Sequence, residues 1–166
     1  MKKTFGGWKV LFAAFALILT LGVAKEPAYA ETPDHLGEML DGSKLTEDQE
    51  AEDTVTPRLR GSLLYQGFVK IVNKGNGQVA IGGSTDCFVT CDVVKFNLYL
   101  ERTKGDTGFS SYRSYEYVAY NENLLARSLT CSVEKGYYYR LRGYHYASKG
   151  GQAENLGSMT NGIYIG

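Results

Sequence analysis

Between Val93 and Arg102, "VVKFNLYLER" sets Val94, Phe96, Leu98 and Leu100 against Lys95, Asn97, Tyr99 and Glu101 in strict alternation. Side chains alternate with period two only along an extended strand, so this stretch has one buried and one open face as a strand and neither as a helix. The same texture recurs on both sides. "LLYQGFVKIV" is closed by "NKGNG", whose asparagines and glycines suit positive φ, and "QVAIGG" follows it. After the "TKGDTG" turn come "SSYRSYEYVAY", the break "NEN", "LLARSLTCSV", "GYYYRLRGYHYA" and "GSMTNGIYIG". About seven short strands with turn signals between them and no helical periodicity predict an all-β fold. A two-sheet antiparallel sandwich is the expected architecture, with a small closed barrel as the alternative.

One spacing favours the sandwich. In "VEKGYYY", Val133, Gly136 and Tyr139 stand as apolar-x-x-Gly-x-x-Tyr. This resembles the tyrosine corner of immunoglobulin and fibronectin type III domains, in which the hydroxyl bonds back to the preceding turn. The strand that follows then divides by parity. Tyr137, Tyr139, Leu141, Gly143 and His145 fall on the core side, while Tyr138, Arg140, Arg142, Tyr144 and Tyr146 form an outward ladder of aromatics and guanidiniums. Tyrosine suits half-buried sheet faces, which gives the ladder a structural reading. Tyrosine and arginine are also frequent interface anchors, which makes it the candidate binding face, extended by Tyr112, Tyr115, Tyr117 and Tyr120.

The first thirty residues read as a targeting segment. Lys2, Lys3 and Lys9 flank the apolar run "VLFAAFALILTLGVA", and Ala28 and Ala30 complete an A-x-A site. This is the layout of a secretory signal peptide (1–30), and the apolar run is short of the ~20 residues that span a bilayer. Export without a stable membrane anchor after cleavage is therefore expected. The neutral overall charge hides an asymmetry. Residues 31–56 hold nine Asp or Glu against one Lys, a net of −8, whereas 57–166 hold thirteen Lys or Arg against eight Asp or Glu, a net of +5. Acidic, apolar-poor chain buries too little surface to offset its ordering entropy, so 31–60 reads as a disordered leader or a pro-segment cut near Pro57–Arg60. The β-domain is then 61–166.

Export permits a disulfide, and three cysteines leave one thiol over. Cys131 is in phase with Leu129 and Val133 and points inward, so it is either a free buried thiol or bridged to Cys91 or Cys87. The Cys-x-x-x-Cys spacing of Cys87 and Cys91 is not a usual zinc pattern, and no metal or other cofactor is expected. With His35 in the leader, His145 is the histidine open to a folded site, and no nucleophile motif surrounds any cysteine. The domain's eight carboxylates are scattered. Catalysis is not expected, and a hydrolase is the third-ranked reading. Aromatics among basic residues occur in single-strand binders, but the modest charge and the export signal argue against nucleic acid.

The order "DGSKLT", "RGSLLYQGFVKIVNKGNGQVAIGGST", "CDVVKFNLYLER", "VEKGYYYRLRGYHYA" and "SMTNGIYI" resembles a family of small secreted proteins from Gram-positive, clostridia-like bacteria. That family is classed only as a domain of unknown function. The likeness runs from about Gly42 to the C-terminus. It implies an extracellular bacterial protein and supplies no catalytic residues. The expected role is a non-catalytic binding or interaction module for an extracellular glycan, peptide or protein. An antimicrobial or toxin-like product matured from a precursor is the alternative, motivated by the charge split. Expressed from Met1 in an exporting bacterium, the chain is expected in the medium with Glu31 as its first residue. N-terminal mass mapping that finds Met1 on the released protein overturns the signal reading.

Overall fold

The computed structural model describes residues 32–57 and 62–166, so the expected signal peptide (1–30) and the 58–61 stretch lie outside the described residues. The chain from Thr32 onward is one compact unit. Its strands are β1 (Met39–Leu40), β2 (Ser43–Thr46), β3 (Glu50–Val55), β4 (Leu64–Gly75), β5 (Gln78–Thr103), β6 (Ser110–Ser132), β7 (Tyr137–Lys149), β8 (Gln152–Met159) and β9 (Gly162–Ile165). The fold is all-β. The strands join in one mixed sheet along the path β1-β2-β9-β7-β5-β4-β3, with β6 on β5 and β8 on β7. Among the described residues only β2 and β9 pair in parallel.

This is a curled half-barrel rather than two facing sheets. The physical reason lies in β5 and β6, which are 26 and 23 residues long. The break expected at "NEN", and the stretch between "QVAIGG" and "VVKFNLYLER", are corners within continuous strands. Asp86 faces Leu124 and Cys91 faces Glu122, so five steps of β5 match two of β6. The excess bends the ribbon and changes the parity of the inward side chains from Val79, Ile81 and Thr85 to Val94, Phe96, Leu98 and Leu100. Asn121, on β6 at this corner, takes φ +56°, a left-handed conformation asparagine tolerates. At the corner β5 exchanges β4 for β7 on its other edge.

Two carboxylates join the ends of the curl where no ladder runs. Asp53 of β3 accepts the Met159 amide at 2.8 Å, and Glu154 of β8 accepts the amides of Ser62, Leu63 and Leu64 at 2.8–3.3 Å. Inside, Leu64, Val69, Ile71, Phe96, Leu98, Tyr139 and Leu141 are fully or almost fully buried, as the alternation requires. Each such side chain contributes roughly 1.5–3 kcal/mol by leaving water. The corner motif forms as read: Gly136 takes φ +80°, Val133 is buried, and the Tyr139 hydroxyl donates to the Glu134 carbonyl at 2.9 Å. The hairpin at Asn76–Gly77 has φ of +53° and +67°, a type I′ turn that matches strand twist.

The acidic stretch departs from expectation. Residues 32–57 are not a disordered leader: β2 pairs with β9, β3 pairs with β4 over six residues, and Leu45 is wholly buried. "EAEDTV" alternates exposed and half-buried positions, and Lys70 of β4 meets Glu50 at 2.8 Å and Glu52 at 3.3 Å. The acidic run is thus a sheet-edge strand answered by a lysine. His35 is also ordered, its Nδ1 3.1 Å from Glu38 Oε2. A chain of 61–166 alone is expected to lose its cooperative urea transition, followed by circular dichroism, whereas 32–166 keeps it. Equal midpoints for the two would show that β1–β3 are dispensable.

Candidate functional site

Cross-strand register builds the outer face of the β5–β7–β8 region in rows. Tyr99, Arg142 and Met159 form one row, Asn97, Tyr144 and Gly157 the next, and Lys95, Tyr146 and Asn155 a third. Before these rows begin, the ladder read from the sequence is already covered. Tyr138 is 1% exposed, packs on Tyr164 and donates its hydroxyl to the Asp34 carbonyl. Arg140 is 5% exposed; its Nε donates to Glu101 Oε2 at 2.8 Å and its Nη1 to the Asp41 carbonyl and Ser43 Oγ. The guanidinium also lies 4.0 Å from the Phe109 ring centroid. These two residues are therefore removed from the candidate binding face. They anchor the 34–46 segment to the sheet.

Arg142, Tyr144 and Tyr146 remain on the open half. Arg142 is 47% exposed, sits over the Tyr99 ring at 5.8 Å, and has its Nε 3.3 Å from Glu101 Oε1. Lys95 lies over the Tyr146 ring at 5.3 Å. Asn97 donates from Nδ2 to the Tyr99 hydroxyl at 3.4 Å, and its buried Oδ1 has no hydrogen-bond partner. Tyr99, Arg142, Tyr144, Gly157 and Met159 line an open groove of ≈ 390 Å³, floored where Gly157 leaves the backbone bare. The groove offers aromatic faces and a guanidinium. Of the proposed extension, Tyr120 is 67% exposed, but Tyr112, Tyr115 and Tyr117 pack against the core. A second open groove of ≈ 480 Å³ beside Phe68 has small residues and Arg127 on its walls.

Tyr99, Asn97 and Met159 were not singled out from the sequence. Tyr99 and Asn97 stand on the polar side of "VVKFNLYLER", but nothing local places that strand beside β7.

His145 lies at the centre of the core, with no exposed surface. Its ring stacks on Phe96 at 5.2 Å, with Nδ1 2.9 Å from Thr85 Oγ1 and Nε2 2.8 Å from Ser158 Oγ. Thr85 donates its own hydroxyl proton to the Lys95 carbonyl, so it accepts from Nδ1–H and leaves Nε2 to accept from Ser158. A neutral imidazole thus satisfies both ring nitrogens. Gly67 and Gly143 make the space: a Cβ on either would enter the His145 ring. Burial lowers the His145 pKa to about 4 against the opposing pull of Asp86 and the Ser84 backbone. Ser158 beside His145 has the composition of a nucleophile–base pair, but Ser158 faces inward opposite Gly143 and is itself buried. Ser158 touches the edge of the same open groove, but His145 behind it is sealed from water.

The cysteines are placed otherwise than expected. Cys131 faces Val79, and nine residues along the same strand Glu122 faces Cys91. That separation is roughly 30 Å, so a bridge from Cys131 to Cys91 or Cys87 is ruled out. Cys131 is half-buried against Tyr115, and Cys87, Cys91 and Cys131 all carry free thiols. Among the described residues no cluster of three His, Cys, Asp or Glu is placed to hold a metal ion. The carboxylates are largely committed: Glu101 to Arg140, Glu134 to Arg102, Asp92 to the Gly150 amide, and Glu154 to the β4 entry. No helix among the described residues is long and apolar enough to cross a membrane. No protein-family model matches this chain, and no curated protein matches it.

His145 gives the fold a pH signature. Its folded pKa lies below its unfolded value, so its contribution is complete above the unfolded pKa of 6.5 and is lost as pH falls towards about 4. Urea midpoints should therefore fall between pH 6.5 and 4 by the equivalent of about 3 kcal/mol more in the native protein than in His145→Gln. Parallel pH profiles for the two proteins would refute the neutral, sealed imidazole.

Proposed function

We propose that this protein is an exported, non-catalytic glycan-binding module whose ligand lies on the open half of the β5–β7–β8 face. One observation carries the reading: Tyr99, Arg142 and Tyr144 line a single open groove, which sets two aromatic rings and a half-exposed guanidinium on one sheet face. Tyrosine rings present flat apolar surface to the C–H faces of a sugar. Arg142 donates to a ring oxygen, hydroxyl or carboxylate. The backbone groups beneath are used within paired strands, so an added peptide strand finds no free ladder there, which favours side-chain recognition. Tyr139 carries a corner of the immunoglobulin and fibronectin type III kind, but the support for a binding role comes from the groove and not from that likeness.

The motive for a removable pro-segment weakens because β1–β3 are strands of the sheet, and the antimicrobial alternative weakens with it. A hydrolase reading lacks an accessible histidine at the groove. Export rests on the signal-like sequence of residues 1–30. The test is titration of the mature chain against a panel of neutral and uronic-acid-containing oligosaccharides. Arg142→Ser and Tyr144→Ser should each weaken binding by about 10-fold or more, the scale of an anchor residue. Binding equal to wild type in both variants, or no binding across the panel, overturns the proposal.

A further inference from the structure

Cys87 and Cys91 stand at the corner where β5 changes partner. Asp86 and Cys91 are five residues apart in sequence but face Leu124 and Glu122, two apart on the straighter β6. The excursion therefore folds Asp86–Cys91 into the length of about two strand residues, roughly 7 Å, and so brings Cys87, next to Asp86, towards the Cα separation from Cys91 that a disulfide spans. Both side chains turn inward. Cys87 is 8% and Cys91 1% exposed, and both belong to one apolar cluster. Cys91 hydrogen-bonds weakly to the Val89 carbonyl across the loop, at 3.4 Å. Between them, Phe88 and Val89 project into solvent, with Phe88 edge-on to Tyr65 at 5.2 Å.

We propose that Cys87 and Cys91 form an intraloop disulfide that clamps the β5 corner and fixes the Phe88–Val89 tip, leaving Cys131 as a free thiol. The oxidant is a low-molecular-weight disulfide. One protein thiolate attacks it and expels one thiolate, forming a mixed disulfide. The second protein thiolate then attacks the protein sulfur of that bond and expels the other. Two protein thiols are oxidised, two small thiols are formed, and the two protons pass from the former to the latter.

Burial, with Cys91 alongside, pushes the Cys87 thiol up to about 12, so little thiolate is present in the folded reduced protein. The bridge therefore closes while the corner is open, during folding. Once formed, it is shielded from reductant by the same packing.

The sequence makes the test direct. Trypsin releases 75–95 with both Cys87 and Cys91, and 128–135 with Cys131 alone. The full chain is refolded with oxidised glutathione, denatured, labelled with maleimide and digested. The expected result is an unlabelled 75–95 peptide lighter by two hydrogens and a labelled 128–135 peptide. Cys131→Ser keeps the bridge, and Cys87→Ser leaves Cys91 labelled. A doubly labelled 75–95 peptide, a retained glutathione, or a link between the two peptides overturns the proposal. A bridge that a gentle reductant opens equally fast in native and denatured protein overturns the shielding.

Discussion

β5 keeps β6 along one edge for almost its whole length, yet on the other edge it passes from β4 to β7 at Cys87–Cys91. A strand cannot serve two differently inclined neighbours without bending, and a bend in a paired ribbon needs extra residues on one side. The excess in β5 supplies them. It also exchanges which parity faces inward, so that Thr85 before the corner and Phe96 after it both reach His145. The polar centre of the core thus depends on a local irregularity some residues away. Without the corner the two halves of β5 would present opposite faces to the interior.

The second constraint is the buried ion pair of Glu101 and Arg140. Two charges taken out of water are tolerable only when their remaining hydrogen-bonding capacity is met. Asp41 and Ser43 accept Arg140's further hydrogen bonds and the Phe109 ring covers its face, and the first two come from the N-terminal segment, outside the β5–β7 pair. The ion pair and the N-terminal segment therefore require one another. This arrangement divides the tyrosine–arginine ladder into a structural half and an open half. Arg140 and Arg142 are two residues apart on one strand face, yet one is a buried tie and the other is available to a ligand.

The strand faces were legible from sequence because parity is a local property. Val94 to Leu100 and Tyr139 to His145 lie inside as their spacing demands. Strand ends were less legible, since "NEN" carries turn chemistry that a corner also draws on, while "CFVTC" is built of strand formers that give no sign of a bend. The acidic segment misled for a different reason. Its composition is that of chain with little to bury, but β3 is an edge strand that buries little, and its charges are answered by Lys70 from a distant element. A faint signal existed in the alternation of Ala51, Asp53 and Val55. The open groove was only partly legible, because neither Tyr99 nor Gly157 announces its neighbours without the register that brings β5, β7 and β8 together.

β6 is hydrogen-bonded on one side only among the described residues, over 23 residues. An exposed rail of that length is a template on which other extended chains can grow, and Val118, Tyr120 and Leu124 make it an apolar one. Its safeguards are visible: Arg113, Glu116, Glu122 and Arg127 are spaced along it, and the left-handed Asn121 interrupts its straightness. Crowded preparations of this protein are thus held apart by four charges and a kink.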